Sequence, residues 1–238
     1  MVYAIICPKD EVNMKRSEIN AEFAWAKSLL EKNNIRLPDR AYWTMDEWRA
    51  HKAEIGTIAK TTVGWDITDY GTGKYFEIGA VLYTLRNGKQ NDPSVGVPYC
   101  EKYILMRDGQ RLPKHYHVFK TEDIINRAGG VLEVMLWNTD AEGKELATDV
   151  TVFMDGIRRT FKAGEKIRVA QGNSITLTPH IAHIFGPEPG SGDIVVGEVS
   201  KVNDDTTDNY FMEPTSFFAK IEEDVPAEHP LTNEYGRL

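Results

Sequence analysis

The chain of 238 residues is poor in cysteine: it carries only Cys7 and Cys100. Two thiols cannot build a disulfide framework, and these two lack the spacing of a zinc site. Both are expected to be free thiols in a reducing, cytoplasmic compartment. Long apolar runs are also missing. No stretch approaches the ~20 residues that cross a bilayer. The apolar opening Met1–Cys7 is too short for a secretory leader and has no basic residues before it. Positive charge is in deficit, with 28 Lys and Arg against 36 Asp and Glu and a net charge of −8. Nucleic-acid backbones are held by clustered Lys and Arg, so nucleic acid is not the expected partner. The sequence shows no internal repeat and no low-complexity linker, and one domain is expected at this length.

The residues that are present change character near Gly64. Before it, Ile19, Phe23, Ala26, Leu29 and Leu30 fall on one helical face. They predict a helix within Met14–Lys32, with Ser17 as N-cap and Asn33-Asn34 followed by Pro38 as its stop. Thr44 with Glu47 three residues on has capping-box spacing and predicts a second helix ending near His51. Trp25, Trp43, Met45 and Trp48 are read as packing residues, and His51 as a surface histidine.

Beyond Gly64, short runs of Val, Ile, Phe and Tyr alternate with turn signals. Asn87-Gly88, Asp108-Gly109 and Asp155-Gly156 tolerate positive φ, and Lys162-Ala163-Gly164-Glu165 reads as another hairpin turn. The predicted strands are Tyr75–Asn87, Cys100–Arg107, Gly130–Trp137, Asp149–Phe153, Arg158–Phe161, Lys166–Val169, Ser174–Leu177, His183–Phe185 and Asp193–Val202. So many short strands predict an all-β jelly-roll barrel over residues 63–238. Residues 1–62 are expected to form a helical segment packed on it, and the acidic tail after Met212 to wrap around the barrel or meet a partner.

The chemistry is concentrated between Gly109 and Gly129. On a strand, side chains alternate faces, so His115 and His117 point to one side and can chelate one ion. Glu122 needs only a short turn to return its carboxylate to that side. Imidazole with carboxylate suits Mn, Fe, Zn, Co or Ni, and the absence of thiolates argues against a soft-metal site. A fourth ligand is sought in Pro179-His180-Ile181-Ala182-His183. His183 is favoured because Ile184 and Phe185 resume a strand pattern there; His180 is left as a substrate contact.

The spacing Gly109, five residues, His115, one, His117, four, Glu122, six, Gly129 resembles the first cupin motif without a gap. The second is looser: Gly172, Pro179 and His183 match, but Pro179 and His183 are four apart rather than five, and Ile181 replaces the usual glycine. Further stretches are Phe76-Glu77-Ile78-Gly79, Thr84-Leu85-Arg86-Asn87-Gly88, Tyr99-Cys100-Glu101-Lys102 and Gly197-Glu198-Val199-Ser200-Lys201-Val202-Asn203-Asp204-Asp205, with Asp208-Asn209. Together these resemble the D-lyxose isomerase family from about Met14 onward.

That resemblance implies a cupin fold, a manganese ion, a homodimer, and interconversion of D-lyxose with D-xylulose and of D-mannose with D-fructose. Such a reaction moves a proton between C1 and C2 through a metal-stabilised enediolate, and so needs a base and a group that shuttles the hydroxyl proton. By placement, Lys102 and Glu213 are the expected pair. Lys102 precedes Ile104 and Met106 on an otherwise apolar strand face, where burial would lower its pKa. Glu198 is the rival base, and Lys114 a cation beside the metal. Asp204, Asp205, Asp208 and Asn209 form a polar turn expected to bind sugar hydroxyls. Glu133, in an apolar strand, is expected to face outward. Two other readings share the metal ligands: a cupin Fe(II) dioxygenase, and a non-enzymatic sugar-binding cupin. An oxygenase usually needs an apolar pocket, whereas the polar turn at 203–209 suits a polyol.

Overall fold

The structure is a computed structural model that describes residues 14–204, 207–213, 215 and 220–238. The first part holds β1 (Met14–Lys15), α1 (Arg16–Lys32), α2 (Met45–Ala50) and α3 (Gly56–Lys60). The strands β2 (Gly64–Thr68), β3 (Ala80–Gly88), β4 (Gly96–Met106), β5 (His115–Tyr116), β6 (Glu122–Gly129) and β7 (Leu132–Thr139) follow. Next come β8 (Glu145–Leu146), β9 (Val150–Met154), β10 (Ile157–Phe161), β11 (Ile167–Val169) and β12 (Ser174–Leu177). The last strands are β13 (Ile181–Pro187), β14 (Ile194–Lys201), β15 (Tyr210–Phe211) and β16 (Ile221–Glu222).

Two curled sheets carry the architecture. One runs β10-β9-β12-β6-β14-β4-β3-β2; the other runs β11-β7-β13-β5-β15, with β8 paired to β7. Every pairing within these sheets is antiparallel. The all-β expectation holds, with three α-helices among the described residues.

Strand alternation sorts the side chains into two cores. Ile104 and Met106 of β4 and Ile194 and Val196 of β14 face the barrel interior, where they meet Leu132, Val134, Leu136 and Phe185 of the opposite sheet. Leu105 and Val195, one step out of phase, face the other way and lie under α1. There Ile19, Phe23, Ala26 and Leu30 cover Trp65, Val81 and Tyr83. Burial of each large apolar side chain contributes about 2 kcal/mol. The same alternation decides where charge goes: Lys102, two before Ile104, and Glu198, two after Val196, are carried inward.

Several boundaries differ from expectation. Helix α1 starts at Arg16, so Ser17 lies inside the first turn and does not cap it. Glu18 instead accepts the Lys15 N–H at 2.9 Å, and the Ser17 hydroxyl donates to Asp224 at 2.6 Å. Thr44 does cap α2, accepting the Glu47 N–H at 3.3 Å. The strands β2 and β6 were not expected. Both carry inward or half-buried polar groups, Asp66, Glu122 and Asn126, that break an apolar pattern. Tyr75–Gly79, expected as the start of a strand, forms a turn before β3.

The packing roles of the tryptophans are visible. Trp48 is buried and meets Trp43 edge-on at 5.1 Å, and Trp25 donates to Asp193 at 2.8 Å. His51 is half-exposed and stacks on Trp43 at 4.3 Å. Glu133 pairs with the exposed Lys166 at 3.0 Å. Cys100 is buried, and Cys7 lies outside the described residues. No helix of the described residues is long and apolar enough to cross a membrane.

After β15 the chain returns to the N-terminal helix. β16 pairs with β1, Asp224 takes the Ser17 N–H and hydroxyl, and Leu231 bridges Trp65. The acidic tail therefore wraps the helical side of the barrel, along its described part.

Candidate metal centre and its cavity

His115 and His183 face each other across the β5–β13 ladder as direct register partners. His183 is flanked on its own face by Ile181 and Phe185, so the β13 alternation aims its ring into the barrel. His117 follows His115 by two residues, as strand geometry requires. The ligating nitrogens of His115, His117 and His183 all lie within 4.8 Å of one another. Glu122, at the start of β6, brings its Oε1 to 3.5 Å from His117 Nε2 and 3.2 Å from His183 Nε2. His180 lies outside this cluster, with its ring stacked on Tyr116 and its φ at 65°.

The tautomers follow from the backbone. His115 Nδ1 lies 2.9 Å from the Pro113 carbonyl, His117 Nδ1 2.6 Å from that of Asp208, and His183 Nδ1 3.0 Å from that of Ile181. A carbonyl only accepts, so each Nδ1 carries the hydrogen and each neutral ring keeps its Nε2 lone pair. Burial first, and then His183 and His117, push the His115 pKa well below its ordinary value, which keeps that ring neutral. Buried His117 Nε2, His183 Nε2 and Glu122 Oε1 have no hydrogen-bond partner among the described residues. These are acceptor atoms converging with no donor between them. Such a cluster costs free energy unless a cation fills it, and the four donors suit a divalent transition metal.

Beside the cluster lies a chain of buried charges. Lys120 Nζ sits 3.0 Å from Glu122 Oε2, 3.0 Å from Glu198 Oε1 and 3.1 Å from Asn203 Oδ1. Lys102 Nζ sits 3.1 Å from Glu198 Oε2 and 3.2 Å from Asn203 Oδ1. Burial alone would push Glu122 up, but the Lys120 ammonium outweighs it and holds the carboxyl well below the usual range. Glu198 behaves alike: burial raises it, and Lys102 with Lys120 holds it below the ordinary value. Both carboxylates are ionised at neutral pH.

These groups open on a cavity of about 620 Å³. His115, Glu122, Lys120, Lys102 and Glu198 line its inner end, with Ile104, Leu112 and Phe185 as apolar wall. Asp66, Thr68, Thr84, Asn87, Asn203, Asp204 and Asn209 supply polar groups elsewhere on its wall.

Other expected residues stand elsewhere. Glu213 is exposed and is not among the lining residues, as the chain at Met212 runs over the Lys114 carbonyl. Lys114 pairs with Glu145 at 2.6 Å and lies 3.6 Å over the Trp137 ring, off the cavity. Asp208 is buried, with its carboxylate turned to the main chain at Val118, Phe119 and Lys120. Asp205 lies outside the described residues. Lys120 escaped the sequence reading. Its signal was its place two residues before Glu122, on the same side of an extended chain.

Comparison with known proteins decides the family. The family model described as D-lyxose isomerase matches residues 14–235. The chain belongs to the D-lyxose isomerase family. Two members named D-lyxose/D-mannose isomerase, from Escherichia coli O157:H7 and Serratia proteamaculans, are each 40% identical over 226 residues. The alignments cover 94% of this chain, and 100% and 99% of the relatives. Among solved structures, the L-ribose isomerase of Acinetobacter sp. DL28 superposes with a TM-score of 0.60 at 16% identity. That match covers 89% of this chain and 99% of the other, and it shows a shared fold. The cupin-type barrel expected from the histidine motif is thus the fold of this D-lyxose isomerase family member.

Proposed function

We propose that this aldose–ketose isomerase interconverts D-lyxose with D-xylulose and D-mannose with D-fructose, using Mn²⁺ held by His115, His117, Glu122 and His183. One observation carries the reading: an acceptor cluster fit for a cation shares one cavity with the ionised Glu198 and its two lysines. The relatives' names supply the sugars. D-lyxose and D-mannose share the configuration at the carbons that react, so one site serves both.

A bound cation supplies Lewis acidity toward the sugar's carbonyl and adjacent hydroxyl oxygens. The remaining work belongs to side chains. Glu198, ionised and buried, is assigned as the base that takes the carbon-bound proton on its carboxylate and returns it to the neighbouring carbon. Lys102 Nζ, which also lines the cavity, donates to the sugar oxygen whose proton moves. Lys120 fixes the Glu122 and Glu198 carboxylates relative to each other. Asp204 and Asn203 are left for distal hydroxyls. Ile104, Leu112 and Phe185 keep water from the reacting carbons. The exposed position of Glu213 and the pairing of Lys114 with Glu145 leave both outside this scheme, as does the stacking of His180 on Tyr116.

The rest of the reading is coarser. The scarcity of cysteine supports a reducing cytoplasmic setting. A homodimer accords with the prevalence of two-fold assemblies. An apolar cluster running from Phe23 through Trp65 to Leu105 supports treating residues 1–62 as a flank of the 63–238 barrel.

The test is D-xylulose formation from D-lyxose by chelator-stripped protein, with and without Mn²⁺, repeated on His117→Ala. Turnover that requires Mn²⁺ and disappears in the variant is expected. Stoichiometric metal binding without turnover of lyxose or mannose would sink the substrate assignment.

A further inference from the structure

We propose that Asp208 is a positioning residue of the metal centre, clamping the connection between His117 and Glu122, and that it does not contact the sugar. Its sequence neighbourhood, Asp204 to Asn209, suggested a sugar-binding turn. The geometry points elsewhere. Asp208 Oδ1 accepts the Val118 and Phe119 N–H groups, each at 2.9 Å, and Oδ2 accepts that of Lys120 at 2.8 Å. Its own carbonyl takes the His117 Nδ1–H at 2.6 Å. One residue, about ninety positions away along the chain, thus satisfies four donors in and beside the ligand loop.

The physical consequence lies in what that loop must do. Between His117 and Glu122 the chain leaves one sheet and enters the other, so Val118, Phe119 and Lys120 have no ladder partners for their N–H groups. A carboxylate that collects all three sets the turn much as an N-cap sets a helix. The carbonyl contact fixes the His117 tautomer and aims Nε2 at the cluster. The Lys120 contact places the ammonium that links Glu122 to Glu198. Outer contacts of this kind alter metal affinity by about 10–100-fold when lost. The segment holds the neighbouring ligand too: in β15, Phe211 is the ladder partner of His115. Asp208 itself is 6% exposed and does not line the cavity.

This inference rests on the metal-centre reading, and its test measures metal directly, so it is independent of the sugar assignment. Chelator-stripped wild type, Asp208→Asn and Asp208→Ala are titrated with Mn²⁺ by calorimetry, and amide exchange is followed at residues 118–120. Asn keeps the shape and the carbonyl but cannot accept on its amide nitrogen. Asp208→Asn is expected to bind Mn²⁺ at least about tenfold more weakly. Its Val118–Lys120 amides should exchange faster, and KM for sugar at saturating Mn²⁺ should be unchanged. A folded Asp208→Asn with wild-type Mn²⁺ affinity and a raised KM overturns the inference and returns Asp208 to the sugar site. Should Asp208→Ala fail to fold, the Asn variant alone decides. No Mn²⁺ binding by the wild type would sink the centre and this role together.

Discussion

Glu198 and Lys102 are direct cross-strand partners in the β14–β4 ladder, and their side chains meet inside the barrel at 3.1 Å. Ladder register, together with the inward phase shared by Ile104 and Val196, puts an ion pair where an apolar pair would ordinarily stand. A buried pair of this kind is weak evidence of stabilisation, since desolvation offsets much of its attraction. Its position on the cavity beside the histidine cluster points to chemistry instead. Glu198→Gln keeps the shape and removes the proton acceptor, so kcat should fall about 10²–10⁴-fold. Mn²⁺ affinity should hold within a few-fold, because Glu198 meets the candidate ligand Glu122 through Lys120. Steady-state kinetics at saturating Mn²⁺, alongside a binding titration, checks both numbers. Full activity in the variant would remove Glu198 as base.

Cation binding should also show in stability. In the candidate centre, His117 Nε2, His183 Nε2 and Glu122 Oε1 have no hydrogen-bond partner among the described residues, and an unfolded chain would hydrate them. A ligand that binds only the folded state at about 100 times its Kd adds about 2.7 kcal/mol. For a chain of this size that is a rise of roughly 5–10 °C in melting temperature. Scanning calorimetry of stripped protein, titrated with Mn²⁺, should show the rise. Glu122→Gln, which removes one negative ligand, should abolish most of it. An equal rise in the variant would place the stabilising cation elsewhere.

The candidate ligands were legible because their grouping depends on local spacing: His115 and His117 need only strand alternation to share a face. The partners of those ligands were less so. Asp208 reads in sequence as one more polar turn residue, and nothing local tells that its carboxylate crosses to Val118, Phe119 and Lys120. Glu213 was favoured over Glu198 by placement near the C-terminal end; β14 alternation carries Glu198 inward, whereas Glu213, past β15, is exposed. The strand β6 was missed for a related reason. Its inward positions include Glu122, at the candidate centre, and Asn126, which donates to the Gly130 and Val169 carbonyls, so polar residues stand where apolar ones would signal a strand. Likewise the true start of α1 depends on a clamp from the far end of the chain, which no window around Ser17 contains.

That clamp is testable. Arg16 is 1% exposed and makes a bidentate contact with Glu223 at 2.7 and 2.8 Å, plus a contact with Glu234 at 2.5 Å. Glu234 also accepts the Leu231 N–H at 3.0 Å, which seats the tail beside Trp65. Arg16→Met leaves the nearly buried Glu234 with only the exposed Arg237, at 3.4 Å, as a cation among the described residues, a loss of about 3 kcal/mol. A drop of roughly 6–12 °C in melting temperature is expected, with Mn²⁺ affinity unchanged. A melting temperature within 2 °C of wild type, on the order of 1 kcal/mol or less, would show that the tail is held by its apolar contacts alone.

His229 makes the tail pH-sensitive in a direction the geometry fixes. Its Nδ1 donates to the Trp43 carbonyl at 2.9 Å, and its Nε2 accepts from the Lys27 ammonium at 2.9 Å. Burial first, then Lys27, lowers its pKa below the ordinary 6.5, while Glu228 and the Trp43 carbonyl act the other way. Protonation would set a donor against a donor and a cation against a cation. As pH falls through about 6.5, the unfolded chain takes up a proton that the folded chain refuses. The neutral ring's contribution is therefore fully present above about 6.5 and is lost as pH falls toward the lower folded value. Within that window the slope is about 1.4 kcal/mol per pH unit for one proton. Melting temperatures of wild type and His229→Gln between pH 7.5 and 5 isolate this group, since other titrating residues are common to both. The wild type should lose stability more steeply on the acid side. Parallel curves would mean that Lys27 gives up its own proton instead, leaving the imidazole free to charge.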